Sequence, residues 1–370
     1  MSIQLSDFRK HPLSILEVHL DRVCRNYLFL KKKLKSGTDC AAVVKADAYG
    51  LGAVPVAKAL YDQGCRHFFV AHVGEGMIVR EALPEKDALI YVLNGPWGAS
   101  AEEFLRARLV PVLNTLGDIE YWKSAETKRP ALIQIDTGMN RLGLSSPDVQ
   151  KLCDQKNRLD ALDLRFVMSH LACADEPAHP KNREQLALFE KLAATLDRPL
   201  RLSFANSAGI FLGPDYHFDM ARPGCALYGI NPVEGIENPM LGAVTLKSRI
   251  LQIRDVEAAG TAGYGASYKI SPPAKCATIS VGYADGYFRS FTGRGFVYIG
   301  SEKCPVIGRV SMDTIIVDIT KLKTAVTEGD FAEIIGAHHT VDDAAKEAGT
   351  IGYEILTALG KRYQRLYRNG

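Results

Sequence analysis

The chain is organised around the stretch Val43-Val44-Lys45-Ala46-Asp47-Ala48-Tyr49-Gly50-Leu51-Gly52. The apolar run 41–44 has the length and the β-branched residues of a buried strand, and the glycines after it predict a turn into a helix. Lys45 ends this strand, where a lysine is partly desolvated and rigidly supported, which suits an amine that attacks a carbonyl. A lysine that ends a strand and points into water gives the same spacing, so the pattern leaves both interpretations open.

Length and composition are those of a globular enzyme with two domains. The chain has 370 residues, more than one hydrophobic core usually supports, so we expect a large domain and a smaller one. Hydrophobic residues make up 47% and charged residues 24%, the balance of a soluble protein rather than a disordered or membrane chain. The formal net charge is only +3, and the lysine run 31–33 fits the solvated face of a helix. Composition therefore gives no support for a nucleic-acid partner.

The N-terminal residues indicate the cellular compartment, and the spacing of cysteines and histidines indicates whether a metal site is present. Residues 1–10 lack the apolar core of a signal peptide, and no apolar run reaches membrane-spanning length, so we expect a cytoplasmic protein without a membrane partner. The eight cysteines form no Cys-x-x-Cys pair, and the nine histidines show no His-Glu-x-x-His spacing. Neither a disulfide framework nor a metal site is therefore predicted.

Short apolar strands alternate with amphipathic helices over residues 21–240. This alternation predicts parallel strands joined by crossover helices. Eight strands are predicted, at 41–44, 67–72, 88–93, 109–113, 131–135, 164–169, 200–204 and near 226–228. Eight such units favour an α/β fold of the (β/α)8, or TIM-barrel, type over an open sheet of five or six strands.

After Gly242 the pattern changes to β-rich segments. They lie at 243–255, 274–280, 296–299, 303–309, 314–318 and 331–335, and they predict a smaller, mostly antiparallel domain. One helix is expected between Thr340, which forms a capping-box pattern with Asp343, and Gly349. We therefore divide the chain into a barrel domain, residues 1–242, and a β-rich domain, residues 243–370. The pattern alone does not place the strand at 14–19.

Two loops late in the barrel have the composition of an anion site. In barrels of this type the loops after the seventh and eighth strands favour phosphate. The stretches 204–209 and 222–229 are rich in small residues, which let backbone N–H groups approach an anion closely. Asn-Ser-Ala is also an ordinary helix N-cap and Arg-Pro-Gly an ordinary turn, so each stretch is a weak signal by itself.

The sequence of these stretches resembles the motifs of one known family. Residues 44–52, Val-Lys-Ala-Asp-Ala-Tyr-Gly-Leu-Gly, closely resemble the signature of bacterial alanine racemases, isomerases in which the lysine carries pyridoxal 5′-phosphate (PLP) as a Schiff base. At least seven motifs follow in the family order, so the resemblance covers nearly the whole chain. It implies a PLP-binding barrel, a C-terminal domain that the N-terminal strand joins, and a homodimer with shared active sites.

The resemblance implies that barrel residues hold the cofactor. Lys45 would bind PLP, and Arg222 would face the pyridine nitrogen. Because a guanidinium keeps its proton near neutral pH, the ring would stay a weaker electron sink, which suits racemisation better than most PLP reactions. An ion pair between Arg222 and a barrel carboxylate is the alternative interpretation. The remaining cofactor contacts would be Tyr49, Arg141, His170, Asn206, Ser207, Gly224, Cys225 and Tyr353.

The segment 132–143 resembles a second family signature. Arg141 would contact the cofactor phenolate and the substrate carboxylate through its planar fork of donors. Position 134 is a lysine that becomes carbamylated in some family members, and here it is Gln134. A neutral amide would then have to orient the Arg141 guanidinium by hydrogen bonding.

The resemblance also implies a two-base mechanism. Racemisation needs proton exchange on both faces of a planar carbanion, so Lys45 would serve the D-face and Tyr264 of the partner subunit the L-face. A free phenol has a pKa near 10, so Tyr264 would need neighbouring positive charge, with His170 hydrogen-bonded toward Arg222 as its source. As plain sequence, Tyr264 is a glycine-flanked hairpin residue and His170 an ordinary packing residue.

Further matches concern the substrate entrance. Tyr283, Met312 and Asp313 would reach across the dimer interface to narrow it, with Tyr353 as another entrance residue. The expected function is interconversion of L-alanine and D-alanine, which supplies D-alanine for cell-wall peptidoglycan. A broader-specificity amino-acid racemase, a PLP barrel decarboxylase and a PLP carrier without activity are the alternatives. A decarboxylase would be expected to carry a carboxylate in place of Arg222, and residues 243–370 count against a lone carrier. Alanine versus serine, and a biosynthetic versus a catabolic role, stay open.

Overall fold

The computed structural model describes residues 12–123, 128–154, 159–196 and 198–370. These residues form two compact units. One is Val23–Leu241, and the other combines residues 12–22 with Gly242–Gly370.

The unit Val23–Leu241 is built on parallel strands that nearly close into a barrel. The hydrogen-bonded order runs through Asp39–Cys40, Met220–Arg222, Leu202–Asn206, Leu162–Met168, Arg129–Gln134, Leu109–Leu113, Leu89–Val92, His67–Val70 and Ala42–Val43. The two ends of this order are consecutive halves of one extended segment around Ala41. One half pairs with Met220–Arg222 and the other with His67–Val70, which joins the ends of the sheet. The predicted (β/α)8 architecture is confirmed.

Helices cover the outside of the barrel. They are Leu20–Lys33, Ala53–Asp62, Val73–Ala82, Ala101–Arg106, Leu116–Trp122, Ser146–Asp154 and Lys181–Thr195, with short 3-10 turns at Ala208–Leu212, Pro214–Tyr216 and Cys225–Tyr228. Because helices pack on one face and side chains fill the other, the strands read as continuous apolar runs. Every residue of Leu109–Leu113, for example, is buried.

The eighth barrel strand lies earlier in the chain than predicted. It is Met220–Arg222, and the prediction of a strand near 226–228 was wrong because Cys225–Tyr228 forms a 3-10 turn. All four residues of this turn are buried, and the Tyr228 hydroxyl donates to the Val43 carbonyl at 2.8 Å. The apolar composition of the run reflects its burial, and periodicity cannot separate a buried turn from a buried strand over so few residues.

The second unit is a mostly antiparallel sheet, as predicted. Its strand order is Ala274–Ile279, Ile315–Asp318, Glu302–Ile307, Phe296–Ile299, Phe331–Ile335, Val244–Val256, Ser14–His19 and Gln364–Arg368. Ala274–Ile279 also pairs with Val244–Val256, so the first six strands form a ring. Ser14–His19 pairs antiparallel with Val244–Val256 and parallel with Gln364–Arg368, which gives this strand a place that the sequence pattern did not.

A hairpin and two helices complete this unit. Gly260–Ala262 and Tyr268–Ile270 form the separate hairpin. The helix Val341–Ala348 begins at the predicted capping box, in which Thr340 Oγ1 accepts from the Asp343 N–H at 3.1 Å, and it ends at Gly349 with φ 74°. The helix Gly352–Thr357 and the strand Gln364–Arg368 were not predicted.

Across the described ranges, no helix combines the length and the apolar character needed to span a bilayer. Within the same ranges, no three His, Cys, Asp or Glu side chains lie close enough together to hold a metal ion. The eight cysteines are free thiols.

Candidate active site

Lys45 lies at the C-terminal end of the first barrel strand. The Val44 N–H just before it donates to the Phe69 carbonyl of the next strand at 2.8 Å, which fixes the strand end. Burial lowers the pKa of Lys45, and the Arg141 guanidinium lowers it further, whereas the Glu75 carboxylate acts in the opposite direction. A lowered pKa increases the neutral fraction of the amine, which is the nucleophilic form.

The backbone directly after Lys45 is left-handed. Ala46, Asp47, Ala48 and Tyr49 have φ values of 52°, 55°, 53° and 56°. L-residues avoid this conformation by about 1–2 kcal/mol each, so surrounding contacts must hold four of them in succession. The Ala46 N–H donates to Glu75 Oε1 at 2.7 Å, and Asp47 Oδ1 accepts from the Ala53 N–H at 2.7 Å. The turn ends in Tyr49, whose side chain is buried with its hydroxyl against Gly224.

The ends of the seventh and eighth strands meet beside Tyr49. Ser207 Oγ accepts from the N–H groups of Gly224 at 2.8 Å and Ala226 at 3.3 Å. A Cβ at Gly224 would overlap the Tyr49 hydroxyl, so only glycine fits there. Cys225, buried at the start of the 3-10 turn, lies near enough to Tyr49 to affect its pKa. Two small residues and two hydroxyls thus line one corner of the barrel mouth.

Asn206 ends the seventh strand in the same corner. Its Oδ1 accepts from the Gly209 N–H at 2.8 Å, so its side chain binds the backbone of the turn Ala208–Leu212. The structure therefore brings together the four residues that the resemblance implies around the phosphate, Asn206, Ser207, Gly224 and Cys225, and it places the cofactor contact Tyr49 beside them.

Arg222 is a buried guanidinium with uncharged partners. It is 4% exposed and donates to Ser203 Oγ, to the Ser169 carbonyl at 2.5 Å and to the Phe204 carbonyl at 3.5 Å. Within the described ranges no carboxylate pairs with it, which counts against the ion-pair interpretation. Burial lowers the pKa of Arg222 to about 9, so it stays charged at neutral pH. A buried charge that lacks a counter-ion suits a ligand acceptor.

His170 follows Ser169 at the end of the sixth strand and is half-buried. Its pKa lies well below its ordinary value because of burial first, and then because of the positive charges of Arg222, Arg141 and Lys45. The lowered pKa favours the uncharged imidazole, which counts against His170 as the source of positive charge. The positive charge beside His170 belongs to Arg222, whose guanidinium donates to Ser203 Oγ and to the Ser169 carbonyl.

Arg141 lies at the tip of a loop that folds back on its own strand. Asp136 Oδ1 accepts from the N–H groups of Gly138 and Met139, each at 2.9 Å. Gln134 Nε2 donates to the Leu142 carbonyl at 2.8 Å, so Gln134 fixes the loop backbone next to Arg141. Because these contacts hold the backbone on both sides of Arg141, its side chain projects from a fixed point.

Tyr264 lies in the other unit, at the tip of the hairpin, and is 71% exposed. It is flanked by Gly263 with φ 73° and Gly265 with φ 70°. A Cβ at Gly263 would lie 2.7 Å from the Arg309 backbone nitrogen, and one at Gly265 would lie 3.0 Å from Arg309 Nη1. The hairpin tip is thus packed against Arg309, with the phenol directed to solvent.

Three further site residues of this unit lie on two turns that contact each other. The Tyr283 N–H donates to the Ser311 carbonyl at 3.1 Å, and the Ala284 N–H donates to the Met312 carbonyl at 3.0 Å. Arg362 joins the turns, since it binds Asp285 through two bonds of 2.7 and 2.8 Å and Asp313 through one of 2.7 Å. Tyr283, Met312 and Asp313 therefore form one cluster.

Tyr353 lies apart on the helix Gly352–Thr357, with 40% of its surface exposed. The residue after this helix, Ala358, has its carbonyl against Gly286, where a Cβ would overlap it. The helix therefore ends beside the turn that carries Tyr283.

Sequence reasoning missed several residues that hold the site. Glu75 follows His72 at the spacing of a capping box, and Ser203 is a polar residue inside an apolar strand, so both gave a readable signal. The Arg362 contact with Asp285 joins positions 77 apart, and no local pattern announces it.

Comparison with known proteins gives one consistent family. Residues 18–232 match the alanine racemase N-terminal domain, and residues 243–367 match the alanine racemase C-terminal domain. A protein of Mesorhizobium japonicum named as a catabolic alanine racemase is 47% identical over 362 residues, covering 96% of this chain and 94% of its own length. An alanine racemase of Brucella canis is 44% identical over 371 residues, covering 95% and 93%. The crystal structure of alanine racemase from Bartonella henselae with covalently bound pyridoxal phosphate superposes with a TM-score of 0.92 at 40% identity, covering 96% and 99%.

Proposed function

This chain belongs to the alanine racemase family, and from that premise we propose that it is an isomerase that interconverts L-alanine and D-alanine with PLP as its cofactor. The observation that carries the proposal is the barrel mouth. There, a lysine with a lowered pKa, a buried arginine with uncharged partners and a cradle of small residues lie in one unit. Such a set suits a cofactor that has an aldehyde, a ring nitrogen and a phosphate.

The residues present fit PLP. Lys45 would anchor the cofactor, and Arg222 would donate to the ring nitrogen. Tyr49, Asn206, Ser207, Gly224 and Cys225 would hold the phosphate, since a side chain at Gly224 would fill the cradle. Arg141, on its fixed loop, would bind the substrate carboxylate. Bound PLP would supply the electron sink that makes the α-proton of alanine acidic.

The chain's own residues would move the proton. Lys45 would exchange it on the D-face, and Tyr264 would exchange it on the L-face. The buried charge of Arg222 and the charge of Arg141 would supply the positive field of the barrel mouth, because the lowered pKa of His170 favours its uncharged form. Because Arg222 keeps its proton at pH 7, it would not protonate the ring nitrogen, so PLP held there would supply a weaker electron sink, which suits racemisation better than decarboxylation or transamination.

We propose a homodimer in which each barrel is completed by the partner's β-rich domain. The support is the exposure of the predicted residues in that domain: Tyr264 is 71% exposed, Met312 53%, Tyr283 43% and Tyr353 40%. A catalytic base that is open to water would have a nearly ordinary pKa, and an open entrance would not select among substrates. Both therefore need a second protein surface that covers them. In this arrangement Tyr264 serves the Lys45 of the other subunit. Tyr283, Met312, Asp313 and Tyr353 narrow the entrance.

The proposed division of labour follows the two domains. The barrel domain, residues 1–242, would bind PLP, and residues 243–370 would supply the second base. The N-terminal strand at 14–19 belongs to the sheet of the β-rich unit. In the cell we place the reaction in the cytoplasm, where it supplies D-alanine for peptidoglycan. One relative is named as catabolic. A gene deletion distinguishes the roles: a requirement for added D-alanine supports the biosynthetic role, and loss of growth on alanine alone supports the catabolic one.

The direct test is product analysis. Purified protein with PLP and L-alanine should form D-alanine until the two enantiomers are equal, and borohydride should stop the reaction by trapping the cofactor on Lys45. Parallel reactions with L-serine and L-lysine measure the breadth of specificity. Release of carbon dioxide and an amine would identify a decarboxylase and would contradict the proposal.

A further inference from the structure

Glu75 connects two neighbouring strand ends of the barrel. It is the third residue of the helix Val73–Ala82, which follows the second strand. Its Oε2 accepts from the N–H groups of Ala71 at 2.7 Å and His72 at 3.2 Å, which is the capping of its own helix. Its Oε1 accepts from the Ala46 N–H at 2.7 Å. One carboxylate therefore binds the end of its own strand and the residue that follows Lys45.

A second capping box in the same barrel shows what the ordinary role looks like. Glu103 is the third residue of the helix Ala101–Arg106, and its Oε2 accepts from the Ser100 N–H at 2.7 Å. This carboxylate caps its own helix. The bond from Ala46 to Glu75 has a different use, because Ala46 belongs to another strand–helix unit.

The turn that Glu75 contacts is the strained one. Residues 46–49 are all left-handed, and none of them is glycine. Unrestrained, such a segment would relax to a conformation that costs less, and the direction of the Lys45 side chain would change with it. The carboxylate fixes the first N–H of the segment, and Asp47 fixes its other end by accepting from the Ala53 N–H at 2.7 Å.

We propose that Glu75 is a positioning residue for Lys45, whose carboxylate holds the left-handed turn 46–49 and so directs the lysine amine into the barrel mouth. This inference rests on the proposed function, because it presumes that Lys45 is the group that reacts with PLP.

The same carboxylate acts on Lys45 through its charge. Three charged or titratable side chains bear on Lys45 electrostatically: Arg141, Glu75 and His170. Arg141 lowers the pKa of Lys45, Glu75 raises it, and the lowered pKa of His170 favours its uncharged form. Loss of the Glu75 charge therefore lowers the pKa of Lys45 further, so the neutral amine forms at a lower pH.

Glu75→Gln separates these effects from simple capping. An amide has one acceptor oxygen, so it can accept from Ala46 or from Ala71, but its NH2 group then faces the other N–H. Glu103→Gln removes the same charge from the other capping box and serves as the control. Glu75→Asp keeps the charge and withdraws the carboxylate by one methylene from Ala46. Thermal unfolding of all three variants checks that each is folded.

The experiment measures how fast Lys45 captures PLP. Cofactor is removed from the full-length protein, PLP is added, and borohydride traps the adduct at timed intervals between about pH 6 and pH 10. This range lies below the ordinary lysine pKa of about 10.4, where a lowered pKa of Lys45 becomes visible. Mass spectrometry of the Lys45 peptide gives the rate. The dissociation of PLP from each loaded variant is measured in parallel.

For Glu75→Gln we expect two changes together. The plateau rate at high pH falls about tenfold, because a charged hydrogen bond that orients the amine is lost, and the midpoint of the pH profile moves to lower pH. Glu75→Asp lowers the plateau while its midpoint stays near that of the unmodified protein. Glu103→Gln leaves both unchanged.

Failure of the inference about Glu75 can be distinguished from failure of the proposed function. If Glu75→Gln gives the same plateau and midpoint as Glu103→Gln, Glu75 is only a helix cap and the inference is wrong. If Glu75→Gln does not fold, a plateau in Glu75→Asp equal to that of the unmodified protein overturns it. If the unmodified protein captures no PLP at Lys45, the proposed function fails instead.

Discussion

The barrel mouth and the hairpin of the β-rich unit carry the two proposed bases under opposite conditions. In the barrel, Lys45 is half-buried with a lowered pKa, and Arg222 of the same unit is 4% exposed. On the hairpin, Tyr264 is 71% exposed. The barrel residues are held by contacts within their own unit, including the Glu75 bond to the Ala46 N–H at 2.7 Å. The hairpin tip that carries Tyr264 is held through its backbone, where the flanking glycines pack against Arg309.

This difference separates cofactor binding from completion of the site. Desolvation and fixed charges, which tune a catalytic group, already exist in the barrel of a single chain. A phenol open to water lacks them and acquires them only when another surface covers it. On this account one chain suffices to bind PLP, and racemisation needs two.

Lys45→Ala should have the largest effect, because it removes the anchor and one base together. We expect racemisation in both directions to fall by about 10³-fold or more, with loss of the borohydride-trapped adduct. Rates from L-alanine and D-alanine measure the change. Lys58→Ala, an exposed lysine on the next helix, is the control and should be unaffected. Full activity in Lys45→Ala would show that Lys45 is neither the PLP anchor nor a catalytic base.

Tyr264→Phe should affect one face only. Loss of a positioned general base slows racemisation by about 10²–10⁴-fold, yet PLP should bind as before because the barrel is unchanged. Lys45 should still exchange the α-proton of D-alanine with deuterium from the solvent, which NMR measures. Tyr268→Phe, on the same hairpin and 38% exposed, is the control. Equal loss of exchange from both enantiomers would argue against separate bases.

Arg222→Glu should change the fate of the substrate more than its binding. A carboxylate can share a proton with the ring nitrogen, so more alanine should be converted to pyruvate for each D-alanine formed, and racemisation should slow about 10²-fold. Chromatography of both products gives the ratio. Arg222→Lys keeps a charged donor toward Ser203 and should stay closer to the original ratio. An unchanged ratio in Arg222→Glu would show that Arg222 does not face the ring.

Arg362→Ala should have the smallest effect, and it tests the exposed entrance cluster of the β-rich unit. It releases Asp313 and the buried Asp285, so the cluster of Tyr283 and Met312 loosens. We expect KM to rise a few-fold with kcat nearly unchanged, and the free energy of unfolding to fall by about 1 kcal/mol. Arg368→Ala, which breaks a bond of 2.6 Å to Glu17, should match the loss of stability without raising KM. If both variants raise KM equally, Arg362 has no special link to the entrance.

The sequence predicted the parts of the fold that depend on local pattern. Alternating strands and helices predicted the barrel, and the change of pattern after Gly242 predicted a β-rich region. The strand Ser14–His19 was recognisable as a strand, but its partners Val244–Val256 and Gln364–Arg368 are more than 200 residues away. No local rule assigns such a pairing. The eighth strand was misplaced because the buried turn Cys225–Tyr228 is as apolar as a strand.

The candidate site was predictable in its members and not in its support. Lys45, Ser207 and Arg222 stand in recognisable motifs at strand ends, and the structure places all three in the barrel unit. The left-handed turn after Lys45 was not predictable, because Ala-Asp-Ala-Tyr has no glycine to announce positive φ. The lowered pKa of His170 depends on its burial and on the charges of Arg222, Arg141 and Lys45, which only the folded chain brings near it.

The central claim is that a complete site takes Lys45 from one chain and Tyr264 from another, and mixing two inactive variants tests it most directly. Lys45→Ala and Tyr264→Ala chains are mixed in equal amounts, and native mass spectrometry verifies that subunits exchange. With random exchange about half the dimers are hybrids, each with one intact site, so we predict that activity returns to roughly a quarter of that of the unmodified protein. Verified exchange without any return of activity would contradict the claim and would require both bases to come from a single chain.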